Sequence, residues 1–303
     1  MDFSVIIPTY NRPARLAECL KALSSQDYTA DGFEIIVVND GGSREVESCL
    51  AGHSCPASIR ILHEANLGAG AARNLGAKEA RGRWLAFTDD DCRPQSGWLR
   101  GLAVVLEGDP EVMVGGEVVN GLPDSIYPST SQLIHDAAYA YFNPDPARGH
   151  FVASNNMAMW REKYWAVGGF DPRFRPASED RELCDRWLWR GGRIVWTHDA
   201  VVAHYHAMNF TGFVRQHLGY GRGAALFHRE RSRRGTGRVW DDMAFRWRWR
   251  DLIFRPALKT PSPAATLAMV AVWQIANTVG FFHTTITWLW SPPADSPIEV
   301  ARP

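Results

Sequence analysis

Three consecutive carboxylates, Asp89, Asp90 and Asp91, directly follow the apolar run Trp84-Leu85-Ala86-Phe87. On the end of a buried strand, charges this close repel and raise one another's pKa, and a hard divalent cation with oxygen ligands relieves that repulsion. Asp40 repeats the pattern after the apolar run 33–38, just before Gly41 and Gly42. There it could accept a hydrogen bond from the imide N–H of a nucleobase, or serve as an Asx-turn residue. Asp180, preceded by Glu179, opens a stretch of helical period. A carboxylate so placed could take a proton from an attacking hydroxyl, and equally could cap its helix. His204 and His206 lie two apart after a late apolar run, so both project to one face of a strand. They read as metal ligands or as polar rim residues.

The segment 66–74, Asn-Leu-Gly-Ala-Gly-Ala-Ala-Arg-Asn, looks at first like a dinucleotide loop, but Arg73 stands where a third glycine is required. A glycine turn entering a helix that carries Arg73 suits approach to a pyrophosphate, since helix N-termini and guanidinium groups both favour anions. The alternative is a cap and a surface ion pair. Ser154-Asn155-Asn156 and Trp160 offer amides and an aromatic face, which suit sugar hydroxyls and rings, although a tryptophan serves as readily in a core.

Short apolar runs alternating with helix-period stretches must position these groups. Strands are expected at 4–8, 33–38, 59–62, 84–87 and 112–119, with helices at 13–24, 70–81 and 97–106. This is the pattern of an α/β fold, a mostly parallel central sheet flanked by helices. Residues 120–149, rich in Pro, Asp and Tyr, read as an irregular excursion over the sheet. Strand character returns at 151–160, followed by helices at 161–167 and 179–190, two short strands at 193–196 and 200–205, and a helix from 209 to about 231.

These residues together resemble the family 2 glycosyltransferases of GT-A fold. The match comprises Val5-Ile6-Ile7-Pro8-Thr9-Tyr10-Asn11-Arg12, Asn39-Asp40-Gly41-Gly42, the stretch 66–76, Thr88-Asp89-Asp90-Asp91, Val167-Gly168-Gly169-Phe170-Asp171 and Glu179-Asp180, in the family's order over residues 3–230. The resemblance implies a catalytic domain at 1–230, with a nucleotide-binding half at about 1–118 and an acceptor half at about 119–230. It implies inverting transfer of a sugar from a nucleotide diphosphate-sugar donor to a hydroxyl acceptor, glycan or lipid-linked. On that reading Pro8, Tyr10, Arg12, Asp40, Arg73, Asp89 and Asp90 bind donor, and Asp40 meets the base. Asn39 stands where the family commonly has another Asp. Asp91 holds a divalent cation, Mn²⁺ or Mg²⁺, with His204 favoured over His206 as its imidazole partner; Asp180 is the base, and Asn155, Asn156, Trp160 and Glu179 face the acceptor. The alternative is a catalytically inactive glycan-binding or scaffolding protein of the same fold. A sugar nucleotidyltransferase is disfavoured because no G-x-G-T-R-type phosphate loop lies near the N-terminus.

Residues 231–303 form a basic, Trp-rich helical appendage. Between 215 and 259 there are twelve Lys and Arg against four Asp and Glu, with Trp240, Trp247 and Trp249 interleaved. That mixture suits anionic headgroups. Residues 260–291 carry no Asp, Glu, Lys or Arg, and 266–290 is long enough to span a bilayer core of about 30 Å. A polar stripe of Gln274, Asn277, Thr278 and Thr285 favours instead a helix lying on a membrane, with a span or a core or dimer contact as alternatives.

Lys plus Arg and Asp plus Glu are balanced at 33 each, which gives no global argument for nucleic acid. Five scattered cysteines without paired spacing and an N-terminus without a leader pattern fit a cytoplasmic protein, held peripherally at the inner face of the membrane by its C-terminal region. A homo-oligomer is compatible with all of this.

Overall fold

The computed structural model describes residues 1–49, 55, 57–175, 177–239, 245 and 248–290. Its nucleus is a run of strands too apolar to leave either face in water. In β1 (Phe3–Thr9), Phe3, Val5 and Ile7 point into one core and Ile6 into the other. β2 (Phe33–Asp40) is buried throughout, β3 (Ser58–Glu64) lies at the edge, and β4 (Trp84–Phe87) is again fully buried. These four pair in parallel in the order β3-β2-β1-β4.

Beyond β4 the sheet becomes mixed. β5 (Cys92–Pro94), β6 (Val112–Asn120), β7 (Met157–Trp160) and β8 (Arg193–His204) complete the order β4-β7-β6-β8-β5. β7 runs antiparallel to both neighbours, while β6 and β8 are parallel. The two strands expected at 193–196 and 200–205 are one strand whose register shifts opposite Gly116 and Glu117. The strand expected from 151 begins only at Met157, because Ser154–Asn156 forms a 3₁₀ turn.

Helices α1 (Pro13–Ser24) and α4 (Trp98–Gly108) cover one face, with α2 (Glu45–Ser48) beside α1; α3 (Ala69–Glu79), α6 (Arg161–Ala166) and α7 (Glu179–Trp189) cover the other. Close approach of α3 to the sheet uses Gly76, where a Cβ would lie 2.6 Å from Ile6 Cγ2.

The excursion at 120–149 corrects the expectation of an irregular segment: it contains the helix α5 (Ile126–Phe142). Pro128 sits in its first turn, where a missing N–H goes unused. Its apolar residues Leu133, Ile134 and Ala137 join a third core with Phe213, Ile253, Met269, Val270 and Trp273. That core comes from α8 (Phe210–Arg234), the π-helical turn Arg250–Phe254 and α9 (Pro263–Trp290). Residue 230, the boundary drawn from sequence, falls inside α8. α8 and α9 touch backbone to backbone: a Cβ on Gly221 would lie 2.0 Å from the Asn277 carbonyl oxygen, and one on Gly280 2.2 Å from that of Leu218. Trp240, Asp241, Asp242, Arg246 and Trp247 of the basic run, and residues 291–303, lie outside the described residues.

Candidate active site

The carboxyl ends of β1, β2 and β4, the start of α7 and the end of β8 open onto one cleft of about 1280 Å³, closed on its far side by α5, α8 and α9. Crevices at strand ends are where open α/β sheets bind ligands. Pro8, Tyr10, Arg12, Asp40, Arg73, Asp89, Asp90, Asp91, Asn155, Glu179, Asp180, His204 and His206 all line it.

The three neighbouring carboxylates have three different environments. Asp89 accepts a 2.7 Å bond from Arg73, whose guanidinium also reaches Glu179 at 2.9 Å. Arg73 is therefore a buried clamp joining the β4 and α7 ends, 2% exposed, rather than a free anion hook. Arg73→Met would leave both carboxylates without their buried partner. It should destabilise the fold by about 3 kcal/mol in urea titration. Asp90 accepts from the Thr9 hydroxyl at 2.8 Å and from Arg12 at 3.1 Å. Burial, partly opposed by Arg12, pushes its pKa up to about 6.

Asp91 faces a cluster of cations. One oxygen lies 3.2 Å from Arg15 and 3.5 Å from Arg12, and the other lies 3.3 Å from His204 Nε2. Burial works against the charged form, but the His204 bond and the surrounding cations hold the carboxyl well below the usual range. His204 responds in kind: burial would lower its pKa, and Asp91 outweighs this and raises it. His206, with its ring centroid 4.9 Å from that of His204, is pushed down to about 4 by burial and by the His204 charge. The pairing with Asp91 thus goes to His204. The Cys92 thiol is close to both, yet it is fully buried in the core and burial holds it protonated. The usable donor set is one carboxylate and one imidazole, which fits Mn²⁺ or Mg²⁺ with phosphate oxygens completing the shell. Arg15 was not singled out from sequence; its spacing of three from Arg12 at a helix start was the available signal.

Asp40 uses both oxygens to accept backbone N–H bonds from Leu67 at 2.8 Å and Gly68 at 3.0 Å. It pins the glycine turn ahead of α3 to the end of β2, with Gly41 and Gly68 in the left-handed region. Asn39 bonds the amide of Gly42 and the carbonyls of Gly42 and Ser43, so it shapes the same turn.

Across the cleft, Ser178 holds a left-handed conformation with φ of 73° and turns the chain into α7. Asp180 accepts the backbone N–H of Arg181 at 2.8 Å. Burial first, and the neighbouring Glu179 second, push its pKa up to about 7, against the opposing pull of that backbone bond and Arg73.

Two expected acceptor-side residues lie elsewhere. Trp160 pairs with Trp84 at the opposite end of β4, packs edge-on against that ring at 5.9 Å and donates its indole N–H to the Leu106 carbonyl. Asn156 is fully buried and bonds Trp98, Glu117 and Ala200. Both are structural: Trp160 sits at the end of β7 away from the cleft, and Asn156, at the cleft end, turns its side chain inward to Trp98, Glu117 and Ala200. Trp160→Phe should lower stability by about 1 kcal/mol, read in urea, and leave ligand binding untouched.

The model of glycosyl transferase family 2 matches residues 4–168, more than half of the chain. The chain belongs to this family. It is 35% identical over 205 residues to the glycosyltransferase AglE of Haloferax volcanii, covering 66% of each protein. It is 28% identical over 230 residues to the pre-mycofactocin glycosyltransferase of Mycobacterium tuberculosis, of which it spans 47%. Among solved structures, the mannosyltransferase PcManGT from Pyrobaculum calidifontis, in complex with GDP-Man and Mn²⁺, superposes with a TM-score of 0.62 at 20% identity, over 96% of this chain and 81% of that one. The 1–349 fragment of S. aureus TarS with UDP gives 0.51 at 15% identity, over 95% and 92%. The family 2 domain thus has the GT-A fold, extended here by a C-terminal helix.

Proposed function

We propose that the protein is an inverting, divalent-metal-dependent glycosyltransferase that moves a sugar from a nucleotide diphosphate donor to a hydroxyl acceptor. The observation that carries this reading is the convergence, within one cleft, of the Asp91–His204 pair at 3.3 Å on one wall and Asp180, its pKa raised to about 7, on the other. Asp91 and His204 would hold the cation, which when bound offsets the charge developing on the departing diphosphate. Arg12 and Arg15, both partly exposed and anchored also by Asp90 and by the Ala207 carbonyl, would exchange Asp91 for phosphate oxygens. Tyr10, 47% exposed beside the Asp40 turn, offers a face to the nucleoside. Asp180 takes the acceptor proton as the hydroxyl attacks, and at about 7 its pKa suits a base working near neutrality.

Neighbours crystallised with GDP-Man, UDP and Mn²⁺ support the donor class and the cation. Membrane association is part of the same proposal. Phe254 and Leu258, each 50% exposed, lie among Arg250, Arg255 and Lys259, and Ile275, Val279 and Ile286 form an exposed apolar row on α9. That helix is long and apolar enough to span, with a mean hydropathy of 1.4, but packing against α8 and α5 favours a peripheral position on an anionic surface.

Thermal-shift titration with GDP, UDP and dTDP, with and without Mn²⁺, tests the donor side. One nucleotide should raise the melting temperature by several degrees only when Mn²⁺ is present, because a ligand selective for the folded state stabilises it. No shift with any of the three, or a shift indifferent to metal, would contradict the proposal.

A further inference from the structure

At about 1280 Å³ the cleft exceeds the roughly 300–1,000 Å³ typical of a site for one small ligand. The donor-side groups line the sheet edge of the cleft. The wall facing them holds polar atoms that no described residue satisfies, among them the Ser131 hydroxyl of α5, the Asn155 side-chain oxygen, the Gln216 side-chain oxygen and both ring nitrogens of His217 on α8. His217 is 1% exposed and Asn155 8%, so neither is an ordinary surface group. Polar atoms buried without partners disfavour the folded state, and a site that keeps several along one wall is built for a ligand.

Their chemistry narrows the ligand. Burial first, and the nearby His206 second, pull His217 down to about 4, which leaves a neutral imidazole. Imidazole, amides and a hydroxyl each offer donor or acceptor capacity without net charge, which matches alcohol hydroxyls better than phosphates or carboxylates. The flank of α9 that faces this wall is the polar stripe Gln274, Asn277, Thr278 and Thr285. Its role in the cleft could not be read from periodicity, which shows only that a helix has a polar side. Next to these groups the lining turns aromatic: Phe142 and Phe245 have ring centroids 6.4 Å apart, and Trp249 links Phe245 to Trp273.

We infer that the acceptor is a glycoside carrying an apolar aglycone, its sugar hydroxyls held by Asn155, His217 and the polar flank of α9 and its aglycone laid along Phe142, Phe245 and Trp273. This rests on the transferase reading above and adds the acceptor class to it. His217 is a specificity residue here: it holds the sugar that Asp180 deprotonates.

The test uses octyl and methyl glycosides of glucose, galactose, mannose and N-acetylglucosamine with the nucleotide sugar whose diphosphate stabilises the protein. The wild type should transfer to at least one octyl glycoside, with a KM at least tenfold below that of the matching methyl glycoside. His217→Phe should raise that KM tenfold or more, with a melting temperature equal to or above wild type and Mn²⁺-dependent nucleoside diphosphate binding retained. Equal KM values for octyl and methyl forms, an unchanged KM in His217→Phe, or a fall in its melting temperature would overturn the inference. Donor hydrolysis by the wild type without transfer to any octyl glycoside would overturn it and leave the donor-side reading standing. Absence of Mn²⁺-dependent nucleotide binding in the wild type would overturn both.

Discussion

Asp180→Asn should cut the transfer rate by about 10³-fold and at the same time raise the melting temperature above pH 7. The activity loss follows from removing the base that accepts the hydroxyl proton, a contribution of roughly 10²–10⁴ in rate. The stability gain follows from linkage. The folded-state pKa of Asp180 is raised, to about 7, so the folded protein holds that proton more tightly than the unfolded chain does. The stabilising contribution is therefore complete below the unfolded pKa and is lost as pH rises through about 7; above that, an ionised carboxylate beside Glu179 opposes folding. Asparagine removes that charge. Melting curves of wild type and variant at pH 4 and pH 8 should differ little at the first and favour the variant at the second. By the same argument the wild-type kcat should fall on acidification with a midpoint near 7. A rate independent of pH between 5.5 and 8.5 would exclude Asp180 as the base.

Asp91→Asn should also reduce turnover by about 10³-fold, as expected when a major stabiliser of leaving-group charge is lost, but with the opposite effect on stability. The pKa of Asp91 is depressed in the folded state, so its contribution is present above the unfolded pKa and is lost as pH falls through the folded value. At neutral pH the variant forfeits the contacts to His204, Arg12 and Arg15. Its melting temperature without metal should drop, and added Mn²⁺ should no longer raise it in the presence of nucleotide. If Mn²⁺ still stabilises Asp91→Asn as it does wild type, the cation sits elsewhere.

The donor half was legible because its signals are local. Two buried strands, β2 and β4, each run directly into carboxylates, and their parallel pairing through β1 places Asp40, Asp89, Asp90 and Asp91 on one edge of the sheet. What α5 does was not legible: Pro128 and the polar run Ser129-Thr130-Ser131-Gln132 weaken its helical pattern, and the helix is stabilised by Leu133, Ile134 and Ala137 against Trp273, more than a hundred residues away. Asn156 and Trp160 were misjudged for a related reason. Their side-chain types suit a sugar site, but Trp160 is carried to the far end of the sheet by β7 lying antiparallel to β4, and Asn156 spends its amide on Trp98, Glu117 and Ala200, distant in sequence. In α9 the polar stripe was visible and its partner was not, since the backbone contact through Gly221 and Gly280 that turns the stripe into the cleft is a long-range feature.

The central claim is a division of labour across one cleft, with Asp91 and His204 serving the diphosphate through a cation and Asp180 serving the acceptor. Calorimetric titration of the stabilising nucleoside diphosphate into wild type, Asp91→Asn and Asp180→Asn, in Mn²⁺ at pH 8, tests it most directly. Asp91→Asn should bind about 10–100-fold more weakly, whereas Asp180→Asn should bind like wild type although it transfers no sugar. Equal weakening in the two variants, or unaltered binding in Asp91→Asn, would contradict it.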